Sequence, residues 1–223
     1  MKICIVAALV ALLLGAAPVL ADPANSIPEQ AVCRACELRG AGHGLEDVAT
    51  WREQDGEMYY FCSEPCGEAF DAFPLAYLRL PLPRPAPPVS VTQLDGTALN
   101  LGDLEGELFL LDFWATWCQP CVKGIPELRK LGDEYADQGL RVVGISIDEK
   151  GLDHVRKFAK KKDMTYDVVL DNGEAPAWVA YGVAAVPTAF LVDREQRIVA
   201  EWKGFTDSDA VRSAVETHLG VTP

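Results

Sequence analysis

Leu111-Asp-Phe-Trp-Ala-Thr-Trp-Cys-Gln-Pro-Cys121 is the stretch on which the reading of this chain turns. Residues 108–114 form a nearly continuous apolar run, the pattern of a buried strand. Pro120 stands where a helix can begin, because proline loses nothing at the first helical position. Ile125, Leu128, Leu131 and Tyr135 then recur at helical spacing. Cys118 and Cys121 therefore fall at a strand-to-helix junction. Unpaired N–H groups and the helix dipole favour negative charge there, so the first sulfur can become a thiolate at about pH 7 or below. Two thiols separated by two residues at a helix start can also close a small, reversible disulfide ring.

Outward from this junction, residues 89–93 alternate like a strand and Asp95-Gly96 signals a turn. Residues 141–148 read as a strand, 152–162 as a helix, 167–170 as a short strand and 175–181 as another helix. Strands at 188–192 and 197–202 flank a polar turn, and a helix follows at 208–219. Such alternation predicts an α/β domain with a central sheet and helices on both faces.

Residues 1–21 open with Met-Lys, continue through an apolar stretch and end Pro18-Val-Leu-Ala21, the order of a secretory signal cut after Ala21. The competing reading is an uncleaved membrane anchor through residues 3–21, because the run approaches the roughly 20 residues a spanning helix needs; Pro18 and Ala21 favour cleavage. The expected destination is outside the cytosol, in a periplasm. The chain carries 20 Lys and Arg against 33 Asp and Glu, a net charge of −13 that repels phosphate backbones. With no clustered basic residues interleaved with aromatics, nucleic acid is excluded as a partner. With Cys4 in the signal, six cysteines remain as close pairs: Cys33/Cys36, Cys62/Cys66 and Cys118/Cys121. Outside the cytosol each pair is a structural disulfide, a metal site or a redox catalyst.

Residues 80–88 contain five prolines, which deny backbone donors to helix or sheet and favour an extended linker. They separate a small cysteine module at residues 22–79 from a domain at 89–223. At about 58 residues the module has a marginal core that a staple helps.

The quoted motif resembles the thioredoxin superfamily, and within it the exported TlpA/ResA-like thiol-disulfide oxidoreductases. Pro126, five residues past the second cysteine, and Val186-Pro187-Thr188, similar to the family's cis-proline loop, extend the resemblance over roughly residues 89–219. It implies a thioredoxin-like fold and disulfide exchange with client proteins that carry cysteines or disulfides. Cys118 would attack and Cys121 resolve, with no cofactor for the redox reaction and an upstream thiol protein as electron donor. It places Val186 and Pro187 against the substrate, together with Trp117, Gln119 and Pro120 around the cysteines. It makes Asp112 the buried acid that exchanges a proton with Cys121. Gln119-Pro120 lacks the intervening His of strong oxidants, which favours reduction. Trp114 and Trp117 either line the site or pack the core.

In the module, Cys33-Arg-Ala-Cys36 is separated by 25 residues from Cys62-Ser-Glu-Pro-Cys66, inside a run Met58-Tyr-Tyr-Phe-Cys-Ser. Four thiolates suit zinc or copper(I). With Phe70, Pro74 and Tyr77 this segment resembles metal-binding modules of the YHS/TRASH type, which implies Cys33, Cys36, Cys62 and Cys66 as ligands; it lacks the usual proline beside its first cysteine, and His43 has no assured place in the shell. Two structural disulfides are the alternative. For the whole chain the competing functions are a metal chaperone using all three pairs, and a peroxide-consuming thiol enzyme, against which the Cys-x-x-Cys motif argues. His154, His218 and the run Lys160-Lys-Lys162 receive no role.

Overall fold

The computed structural model describes residues 27–38, 44–204 and 208–221; the expected signal and His43 lie outside them. The cysteine module holds β1 (Gln30–Val32), α1 (Arg34–Leu38), β2 (Leu45–Asp47), β3 (Thr50–Gln54), β4 (Glu57–Phe61) and α2 (Glu64–Ala72). β1 pairs with β2 and β3 with β4, both antiparallel. Asp55 and Gly56 both take positive φ, the geometry a two-residue hairpin loop needs. The module buries Tyr59, Phe61, Phe70 and Tyr77 around Cys33 and Cys66, a core as small as its length allows.

The larger domain follows with β5 (Arg84–Pro85), β6 (Ser90–Gln93), β7 (Ala98–Asn100), β8 (Leu108–Trp114), α3 (Gln119–Tyr135), β9 (Leu140–Ser146), α4 (Leu152–Lys161), β10 (Asp167–Leu170), α5 (Ala177–Ala180), β11 (Thr188–Val192), β12 (Arg197–Lys203) and α6 (Ser208–Leu219). Its eight-stranded sheet runs β5-β12-β11-β8-β9-β10-β6-β7. β8, β9 and β10 are parallel, and the other pairings are antiparallel. This is the thioredoxin-like α/β fold. Every residue of β8 is buried, which accounts for its unbroken apolar sequence. One face of the sheet packs Leu110, Val142 and Leu191 against Leu131 and Tyr135 of α3 and Val211 and Val215 of α6. The other packs Phe113, Ile145 and Phe190 against Ala177 and Tyr181.

Two expectations need adjusting. The proline-rich segment is extended but not a free spacer: Arg84 and Pro85 pair with β12, Arg84 binds Glu201 at 2.7 Å, and Ala86 N–H donates to Gln196 O. A sheet edge tolerates proline because its missing donor can face away from the ladder. The helix expected at 175–181 is a single turn, because Pro176 sits at its N-cap and Gly182, at φ 68°, follows its end.

The module rests directly on the larger domain. Phe73 meets Trp178 edge-on at 5.5 Å, Ala184 packs into the module's core, and Lys203 Nζ donates to Ala76 O at 3.3 Å. At Gly182 a Cβ atom would stand 2.8 Å from the Leu75 carbonyl oxygen. Gly182→Ala is therefore expected to cost about 2–4 kcal/mol in urea unfolding, left-handed strain plus overpacking. Gly96→Ala, at φ 94° with nothing within 4 Å, carries only the backbone term of about 1 kcal/mol. Equal losses at the two positions would show that the contact at Leu75 carries no energy.

Candidate redox site and four-cysteine cluster

β8 ends at Trp114, and the chain turns through Ala115, Thr116 and Trp117 before α3 begins. Cys118 is the N-cap of α3 and is disulfide-bonded to Cys121, whose N–H points at Cys118 Sγ from 3.2 Å. That donor and the helix end favour a thiolate on Cys118 once the bond is reduced. Val186 and Pro187 come from the turn before β11, the strand antiparallel to β8. Their peptide is cis, and Val186 O lies 3.7 Å from Cys118 Sγ. The two tryptophans separate cleanly: Trp114 is buried in the core, while Trp117 is 61% exposed beside the cysteines.

Asp112 is buried on the α3 side of β8, and burial alone pushes its carboxyl up to about 7. Asp112, Pro120, Cys121, Gly124 and Pro187 line one cavity of 460 Å³, so the acid and the resolving cysteine open onto a shared space. The structure thus brings together Cys118, Cys121, Asp112, Trp117, Pro120, Val186 and Pro187; Gln119, exposed, follows Cys118 at the start of α3.

A brace behind the redox loop escaped sequence reasoning. Thr116 donates through its hydroxyl and its N–H to Asp148 at 2.6 and 2.9 Å, and Ser146 Oγ donates to Asp148 Oδ2 at 2.7 Å. His154 Nε2 lies 3.0 Å from Thr116 Oγ1, so this histidine is not an idle helical residue. The available signal was Asp148 itself, an acid at the end of an apolar strand neighbouring β8.

In the module the four sulfurs of Cys33, Cys36, Cys62 and Cys66 all lie within 4.8 Å of one another. Cys36 and Cys62 are 3.7 Å apart, and Cys62 and Cys66 4.0 Å. A tetrahedron with Zn–S bonds of about 2.3 Å has S–S edges of about 3.8 Å, so the donor set fits one soft ion. Burial opposes ionisation of Cys33, but N–H groups of Cys62 and Cys36 and their thiols outweigh it and hold its thiol below the usual range. Burial pushes Cys36 up to about 11, and the Glu46 carboxylate, with burial, pushes Cys62 up.

A thioredoxin-like sheet with a disulfide closing the first turn of α3, facing the Val186-Pro187 turn, defines a protein thiol-disulfide oxidoreductase. The chain belongs to the AhpC/TSA family, whose model matches residues 82–201. It is 33% identical over 146 residues to thiol-disulfide oxidoreductase ResA of Bacillus thuringiensis subsp. konkukian, covering 65% of this chain and 81% of that protein. Among solved structures, a thiol:disulfide interchange protein from Bacteroides sp. superposes with TM-score 0.58 at 27% identity, over 64% of this chain and 93% of that one. A thiol-disulfide oxidoreductase domain from Bacteroides vulgatus gives 0.55 at 28% identity, over 63% and 99%. The family match begins past the last of the four module cysteines. Among the described residues no helix is long and apolar enough to cross a membrane.

Proposed function

We propose that this oxidoreductase works outside the cytosol and reduces disulfides in client proteins. The observation that carries the reading is the pair Cys118 and Cys121 at the start of α3, with Val186 O 3.7 Å from the first sulfur and buried Asp112 sharing a cavity with the second. The Cys118 thiolate attacks a client disulfide, forming a mixed disulfide and expelling one client thiolate. Asp112 takes the Cys121 proton, and Cys121 attacks Cys118. The second client thiolate leaves, and two electrons have passed to the client as the pair becomes the disulfide. An upstream dithiol protein restores the reduced pair. The amino-terminal signal pattern supports export, and the absence of a histidine between the cysteines supports reduction.

The test is a trap. With Cys121→Ser expressed in an exporting host, resolution is blocked, and cysteine-bearing clients are expected to remain on Cys118 as mixed disulfides released by dithiothreitol. Recovery of Cys118 only as a free thiol would sink the reading.

The convergence of four sulfurs within 4.8 Å favours a second role: Cys33, Cys36, Cys62 and Cys66 hold zinc or copper(I). There the ion would cross-link β1–α1 to β4–α2 and supply a structural staple.

A further inference from the structure

A groove of 840 Å³ opens beside the redox pair. Trp117 and Trp178, 61% and 37% exposed, both line it; Ile147, Leu152, Ala184 and Ala185 are among its other apolar lining residues, beside polar ones such as Glu149 and Asn172. Trp117 adjoins the attacking cysteine. Ala184 and Ala185 lead straight into Val186, so the groove continues the substrate face of the disulfide site.

The Trp178 side of this groove is held from outside the thioredoxin-like domain. Asp171 fixes the Trp178 backbone by accepting its N–H at 2.8 Å, but the indole leans on Phe73 of the cysteine module at 5.5 Å and 83°. Ala184 packs into the module's own core, and Gly182 touches Leu75 so closely that a methyl group would not fit. The module thus sets both the aromatic wall and the segment feeding the Val186-Pro187 turn.

We infer that the module makes the enzyme selective for extended client segments carrying a bulky apolar side chain next to the reacting cysteine, lodged between Trp117 and Trp178. This rests on the disulfide-exchange reading above. The occupant follows from the shape and chemistry. Two partly exposed tryptophans line a groove whose wall residues Trp117 and Ala185 are the chain neighbours of Cys118 and Val186, and an extended segment projects side chains at fixed intervals beside its cysteine. A small disulfide such as glutathione disulfide has no group to fill that space.

The experiment uses the full-length protein, dithiothreitol as reductant, and two disulfide-linked peptides that differ only in leucine or glycine beside the cysteine. The wild type is expected to favour the leucine peptide about tenfold in kcat/KM, chiefly through KM. Trp178→Ala and Phe73→Ala should each cut the preference to roughly twofold or less, while Trp178→Phe, which keeps a ring against Phe73, retains most of it. Phe73 lies outside the groove, so its effect reports the module's hold on the wall. A wild type that reduces both peptides equally, or a preference that survives both alanine substitutions, overturns the inference. Reduction of neither peptide by the wild type overturns the disulfide-exchange reading itself.

Discussion

Asp112→Asn is expected to stabilise the protein at pH 8 by about 2–4 kcal/mol and to slow resolution of a mixed disulfide roughly a hundredfold. Both effects come from one buried carboxyl whose pKa is raised by burial to about 7 from an ordinary 3.8. Because the native value lies above the unfolded one, the native state binds the proton more tightly, and stability falls as pH rises from about 4 to about 7. At about 1.4 kcal/mol per unit the loss is at most about 4 kcal/mol. The cavity shared with Cys121 lowers that figure by letting water reach the acid. An amide carries no charge at any of these pH values, so urea unfolding of Asp112→Asn should show no loss across that window. The kinetic effect has the opposite sign for the cell: an amide cannot accept the Cys121 proton. Release of the client from a preformed mixed disulfide should rise through about pH 7 in the wild type, and in the variant only toward the ordinary thiol pKa of about 8.5. Equal stability slopes with equal release profiles would remove Asp112 from the mechanism.

Legibility in the sequence followed the range of the interactions. β8 and α3 could be read because their signals are local: an unbroken apolar run, a proline at the helix start, and four apolar residues at helical spacing. The redox pair could be read for the same reason, since its chemistry is written in four consecutive residues. The Thr116–Asp148 brace could not, because it joins loops 32 residues apart through a hydrogen bond that leaves no pattern in either. The start of α5 is capped by the Asp171 carboxylate, which accepts from Ala177 and Trp178 N–H groups six and seven residues downstream, a link that no sequence pattern marks. The seating of Phe73 on Trp178 spans 105 positions, and each aromatic read alone is an ordinary core residue. Proline in residues 80–88 argued for a spacer, and only the partner strand β12 turns Arg84 and Pro85 into a sheet edge.

Removing the ion proposed for Cys33, Cys36, Cys62 and Cys66 is expected to unfold the cysteine module while leaving the main sheet intact. Apart from its cysteines the module's core is four buried aromatic side chains with Leu38, Ala35 and Ala76, small against its chain entropy, so an ion joining β1–α1 to β4–α2 would supply much of its stability. Where free metal exceeds its dissociation constant a thousandfold, that contribution is about 4 kcal/mol. Chelation, or Cys62→Ser with Cys66→Ser, should abolish a one-to-one metal content. It should also release hydrogen-exchange protection in β3, β4 and α2 while protection in β8 and β9 persists. A protein with no metal and no free thiol at the four positions would instead carry two disulfides, and chelator would then change nothing. The close sulfur contact Cys36–Cys62 joins the two pairs, as one ion shared by all four thiols would require. Loss of the ion should reach the redox site by one route. Once Phe73 no longer holds Trp178, the preference for clients with a bulky apolar neighbour should fall, while Cys118 and Cys121 still exchange disulfides.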